Sequence, residues 1–163
     1  YRPISLLNSI YKILAAIIQR RLANIVDDKL QKTQYGFRKK KSTAQAIHII
    51  RRIIDTSIRS GTALNVVLLD WEKAFDEISQ SSIFETMERM GVDNKIIRII
   101  KSLYRETLFC VEIDGYTSEW LPQSTGIRQG CPLSPYLFLI VMTVMYKDMH
   151  THTHTRSPKS NQA

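Results

Sequence analysis

Cysteine is scarce. Only Cys110 and Cys131 occur in 163 residues, with no CxxC spacing. That excludes a disulfide framework and a cysteine-based zinc site, and a reducing compartment is the default for such a chain. Long hydrophobic runs are missing too. The longest, Tyr136 to Tyr146, is 11 residues, whereas a membrane span needs about 20; it reads as a core helix. Acidic residues are in deficit, 15 Asp and Glu against 23 Lys and Arg, for a formal charge of +8. Such an excess favours a polyanionic partner, because lysine and arginine displace counterions from phosphates. The plainer alternative is a basic, solvated surface. No secretory signal is visible, and there is no initiating methionine.

The chain opens inside a patterned segment and closes on "HTHTHTRSPKSNQA", so the sequence reads as a fragment at both ends. The His-Thr alternation is low in complexity. His150, His152 and His154 would share one face of an extended strand, but compositional bias makes a metal site a poor reading of them. Apolar content of 44% is ordinary for one globular domain.

Periodicity gives an element order. Ile10, Ile13, Leu14, Ile17, Ile18, Leu22 and Ile25 recur at helical spacing, with Asn8 or Ser9 as cap and an end near Asp27. "QKTQYGFRKKKS" breaks that pattern. A second helix capped by Ser42 or Thr43 carries Ile47, Ile50, Ile54 and Ile58 on its inner side and ends at Ser60-Gly61. Val66 to Leu69 form a β-branched and leucine run that predicts a strand buried on both faces and ending at Asp70. Short helices over Ser79 to Met90 and after Asp93 follow. A hairpin turns at Asp114-Gly115, where both residues accept positive φ. A last helix runs from about Pro135 to Asp148. Helices packed on a small sheet make a mixed α/β (α+β) domain.

The loop before the last helix, "GIRQGCPLSP" at 126–135, is harder to explain. Turn chemistry accounts for its glycines and prolines but not for Arg128 and Gln129 between Gly126 and Gly130. Asp70 is the other candidate: a carboxylate at a strand end sits where α/β proteins place ligands, although a turn-capping aspartate is the ordinary reading. A catalytic role for Cys131 has no base nearby in sequence, and Asp76 reads as a cap for the segment after it.

"YRPISLLNSIYKILA", "QYGFRKKKST", "LDWEKAFD" and "GIRQGCPLSPYLF" occur in that order. Together they resemble the successive blocks of the reverse transcriptases of non-LTR (LINE-type) retrotransposons, over residues 1 to 146. Maturase-like or telomerase-like relatives fit "RPISLLN" and "GFRKKKST" less well. The resemblance implies a right-handed polymerase fold, with partial fingers at 1–60, partial palm at 61–148 and a low-complexity, disordered tail at 149–163. It implies RNA-directed DNA synthesis on an RNA template and DNA primer, with dNTPs and Mg²⁺. No membrane is implied, a nuclear or cytoplasmic location is, and oligomeric state is left open.

By position, Asp70 matches the first catalytic aspartate and metal ligand, with the Trp71 carbonyl as a further ligand; a guanidinium fork suits phosphate oxygens, and Arg2 matches the arginine on the incoming triphosphate. Arg38 matches a fingers position near template or nucleotide. Lys39, Lys40 and Lys41 extend it into a basic backbone contact, and "RKKK" is a weak nuclear import signal. Phe75 matches the steric gate that excludes a ribose 2′-hydroxyl. Gln129 would contact the nascent base pair, Arg128 the template backbone, and Gly126 and Gly130 would let nucleic acid approach closely.

The family's next block, an aromatic residue and an alanine before two aspartates, does not occur in the sequence. Asp148 lacks the context to replace it. Two-metal phosphoryl transfer needs several carboxylates, so the chain is expected to be inactive alone. The rival expectations are a non-catalytic nucleic-acid-binding remnant, or a relic with no role; a small basic structural protein is the remaining class.

Overall fold

The computed structural model describes residues 4–154, with side chains described through Thr151. Arg2, His152 and His154 lie outside the residues whose side chains are described. Helix α1 spans Ser9–Val26, and Asn8 Oδ1 accepts from the Ile10 N–H at 2.8 Å to cap it. A 3₁₀ turn over Asp27–Lys29 follows. Helix α2, Thr43–Ser60, starts with a capping box between Ser42 and Gln45 and ends at Gly61, φ +67°. Helices α3 (Gln80–Arg89) and α4 (Asn94–Tyr104) are capped by Ser79 and Asp93.

A two-tier ribbon comes next. Strands β1 (Leu108–Phe109) and β4 (Leu121–Pro122) pair antiparallel, and inside them β2 (Glu112–Ile113) pairs with β3 (Tyr116–Thr117) across Asp114-Gly115. Both turn residues have positive φ, 51° and 81°. Helix α5 covers Ser134–His154.

The core forms where α5 packs on α3 and α1, and α3 on α4. Leu22 and Val26 of α1, Ile83 and Met87 of α3, Ile97 and Ile100 of α4, and Leu137 and Ile140 of α5 are fully buried. α5 suits this central position because it is apolar around most of its circumference. No helix among the described residues is long and apolar enough to cross a membrane.

Three expectations need correction. The segment 62–69 is not in a ladder, and Val67 and Leu68 are 79% and 86% exposed. An extended segment becomes a strand only when a neighbour takes its N–H and C=O groups, and none of the described strands pairs with it. The isoleucine stripe of α2 is likewise exposed, with no residue of the helix buried. Both patterns report surface suited to burial; whether anything covers it is a tertiary fact. Finally, α5 continues to His154, into the stretch expected to be a disordered tail, because helix geometry propagates cheaply from a nucleated core. The result is a helix-rich mixed domain with small two-stranded sheets.

Candidate functional site

The segment after Asp70 folds into a tight turn. Lys73 has φ +46°, and its carbonyl accepts from the Asp76 and Glu77 N–H groups at 2.7 and 3.1 Å. This turn lies against the loop that precedes α5. The Gly126 N–H donates to the Ile78 carbonyl at 2.8 Å, and the Ile127 N–H to the Phe75 carbonyl at 2.7 Å. A bridge between Ser79 and Thr125 extends the contact.

Both loop glycines are required by close packing. At Gly126, φ +81°, a Cβ would lie 3.0 Å from the Asp76 carbonyl oxygen and 3.1 Å from its Cα. At Gly130, φ +105°, a Cβ would lie 2.9 Å from the Ser5 carbonyl oxygen. The Ser5 N–H donates to the Gln129 carbonyl at 2.8 Å. The close approach that the sequence suggested for nucleic acid is thus made, in this structure, by protein backbone. The Gln129 amide donates to the Asp76 carboxylate, 3.2 Å from Oδ1 and 3.4 Å from Oδ2. Asp76 therefore does not cap the next helix; Ser79 does, accepting from the Ser82 N–H.

Phe75 is half-buried between two rings. It stacks on Phe138 of α5, centroids 5.0 Å apart and planes 11° apart, and meets Phe37 edge-on at 6.4 Å. Such geometries follow the ring quadrupole. Four separated sequence blocks thus meet: Ser5 from the first, Phe37 from the second, Phe75 and Asp76 from the third, and the 126–130 loop with Phe138 from the fourth.

Two of the predicted cations are turned inward. The Arg38 guanidinium is bidentate on Asp27, with Nη2 to Oδ2 at 2.8 Å and Nε to Oδ1 at 3.1 Å. It also donates to the carbonyls of Gln31 and Asp27, and its side chain is 9% exposed. That hydrogen bond, more than any other influence, holds the Asp27 carboxyl below the usual range. Tyr136 donates to Asp27 Oδ1 at 3.4 Å. Arg128 is 8% exposed, with its guanidinium between Tyr11 and Tyr104. By contrast Lys39 and Lys40 are exposed. Lys41 donates to the Lys32 carbonyl at 3.0 Å and lies over the Tyr35 ring at 4.7 Å. Together Tyr35, Lys40, Lys41 and His48 line a shallow groove of about 570 Å³.

Asp70 and Trp71 are exposed at the end of the unpaired segment. No group of three or more His, Cys, Asp or Glu side chains among the described residues is placed to hold a metal ion. Asp70 thus supplies a single carboxylate, and the donors present do not by themselves fit a divalent-metal centre.

Sequence reasoning missed Asp76 as the partner of Gln129, Asp27 as the partner of Arg38, and the tyrosines around Arg128. All are long-range or cross-element contacts without a local signal. Phe138, stacked on Phe75, was missed as well.

The sequence profile of the reverse transcriptase (RNA-dependent DNA polymerase) family matches residues 1–161. The chain belongs to that family. It is 31% identical over 155 residues to the RNA-directed DNA polymerase from mobile element jockey of Drosophila melanogaster, covering 94% of this chain and 16% of that protein. It is 30% identical to the Pol polyprotein from the type-2 retrotransposable element R2DM of the same species, covering 87% of this chain and 13% of that protein. The transposon TX1 uncharacterized 149 kDa protein of Xenopus laevis is 28% identical, with 87% and 11% covered. This reverse transcriptase chain therefore spans less than a fifth of the length of each of these relatives, all of them non-LTR retroelement proteins.

Proposed function

We propose that this chain forms the part of a retrotransposon RNA-directed DNA polymerase that cradles the nascent base pair, within a fingers-and-palm arrangement. The observation that carries the reading is the meeting of the four motif blocks around Phe75, Asp76 and Gln129. In it, Phe75 is the gate against a ribose 2′-hydroxyl, backed by Phe37 and Phe138 so that it cannot yield. Gln129 faces the nascent pair. The exposed Lys39 and Lys40 meet the backbone of an RNA–DNA hybrid. Arg2 is the candidate for the triphosphate. Asp70 is the proposed catalytic carboxylate, and Mg²⁺ the proposed metal. Asp70 and the Trp71 carbonyl need further carboxylates beside them for that metal to be held.

The exposure of Asp70 and of the segment before it favours a second feature: the chain alone binds nucleic acid without polymerising. Fluorescence anisotropy with a labelled RNA–DNA hybrid tests the reading. Binding should weaken steeply with salt, and Lys39→Ala with Lys40→Ala should flatten that slope. No binding at low salt would overturn it. Primer extension on a poly(A) template, abolished by Asp70→Ala, would overturn the claim of inactivity.

A further inference from the structure

Arg128 carries a positive charge into the interior without an acidic partner. None of the ion pairs among the described residues includes it. Its guanidinium carbon lies 5.2 Å from the centroid of the Tyr11 ring and 5.1 Å from that of Tyr104. Nη1 donates to the Tyr11 hydroxyl at 2.6 Å, and Nη2 to the Leu103 carbonyl at 2.7 Å and the Thr107 hydroxyl at 2.6 Å. The Arg128 carbonyl accepts from Ser134 Oγ at 2.7 Å and from the Cys131 N–H at 3.3 Å. One residue thereby joins α1, the end of α4, the foot of the β1–β4 ribbon and the start of α5.

Filling the space does not require a cation, since an apolar side chain of similar volume is commonly as stable as a buried ion. What the guanidinium adds is direction. A planar fork between two rings, bonded to acceptors on α1, on α4 and at the foot of the ribbon, fixes the backbone of its own residue. Lysine has neither the plane nor the fork. The next residue is Gln129, whose carbonyl takes the Ser5 N–H and whose amide reaches Asp76.

We propose that Arg128 is a positioning residue: it holds the Gly126–Gly130 loop from beneath and so sets where Gln129 presents its amide, in place of a contact with template phosphate. This rests on the reading of Gln129 as the residue that faces the nascent pair.

The test uses the full 163-residue chain, with Arg128→Met, Arg128→Lys and Tyr104→Phe, followed by circular dichroism and by the ¹⁵N resonances of the Gln129 side-chain amide and of Gly126 and Gly130. Tyr104→Phe keeps the ring that lies over the guanidinium and removes only a buried hydroxyl that does not bond the guanidinium, so it should move these resonances far less than Arg128→Met. Arg128→Met should keep the helical signal yet shift all three, and Arg128→Lys should not restore them. Loop resonances unmoved in Arg128→Met, or fully restored by lysine, overturn the proposal. Should Arg128→Met fail to fold, Tyr11→Phe and Thr107→Val each remove one of the guanidinium's three hydrogen bonds, along with the Cys131 contact of the Tyr11 hydroxyl and the bond from Thr107 to the Tyr104 carbonyl, and should give the same shifts in smaller measure; unmoved resonances there overturn it equally. Hybrid binding with dNTP by Gln129→Ala separates the two ideas. Wild-type affinity there sinks the nascent-pair reading, while the loop resonances of the Arg128 variants judge the positioning role independently.

Discussion

Gln129 and Asp76, 53 positions apart in the chain, are joined side chain to side chain through the Gln129 amide and the Asp76 carboxylate. The bond ties the loop before α5 to the turn that carries Phe75. Its acceptor is a half-buried carboxylate, so its loss should be felt. Asp76→Ala is expected to lower unfolding free energy by about 1 kcal/mol, and Gln129→Ala by a similar amount. Urea denaturation of both single variants and the double variant gives the coupling. Additive losses would show that the two side chains do not interact in solution.

Arg38 and Asp27 make the acid stability of the chain predictable. The folded Asp27 carboxyl titrates below its unfolded range, chiefly because of the Arg38 hydrogen bond and against the opposing effect of burial. At pH values between the folded and unfolded pKa, the unfolded chain binds more protons, so stability falls as pH falls. The contribution is complete above about pH 4, the unfolded carboxylate range, and disappears as pH drops through the folded value. Urea midpoints measured from pH 7 to pH 2 should show that loss, and Asp27→Asn should remove this part of the slope. At pH 7 the same substitution should cost about 1–3 kcal/mol, because it leaves a shielded guanidinium short of its charged acceptor. A slope unchanged in Asp27→Asn would contradict the assignment.

How far the sequence could be read follows from the range of each signal. Caps are local hydrogen bonds: Asp93 is where the pattern put it, Asn8 and Ser42 are each one of the two residues it offered, and only α3 differs, capped by Ser79 rather than Asp76. The Asp114-Gly115 turn is local too. Val66 to Leu69 and the α2 stripe depended on a covering surface, which no local pattern encodes. At the site, the sequence singled out Gln129 and Arg128 as unusual, and the family resemblance pointed to Phe75. It could not say that Arg128 and Arg38 point inward, because an arginine two positions from a glycine reads alike whether its acceptor is a phosphate or a carbonyl 25 positions away.

Exposure of the segment before Asp70 has a direct consequence. Val67→Ser and Leu68→Ser remove apolar surface that is already in water, so each should change stability by less than about 0.5 kcal/mol. A buried strand would lose about 2–3 kcal/mol per site. Asp70→Ala should be similarly neutral for folding. Thermal or urea midpoints of the three variants decide the matter. A large loss at Val67 or Leu68 would mean that the segment is covered in solution.

Gly130 and Gly115 offer a matched comparison, because both have positive φ but only one is crowded. At Gly115, φ +81°, an added Cβ meets nothing within 4 Å, whereas at Gly130 it meets the Ser5 carbonyl at 2.9 Å. Gly115→Ala therefore incurs only the left-handed backbone penalty, about 1–2 kcal/mol. Gly130→Ala adds a clash with backbone that cannot rotate away as a side chain would. It should cost clearly more, and the Ser5 N–H, now bonded to the Gln129 carbonyl, should lose protection from hydrogen exchange. Gly115→Ala should leave that amide protected. Equal costs, with Ser5 still protected in Gly130→Ala, would show that the first motif block is not held against the loop, and the convergence around Gln129 would lose one of its four sides.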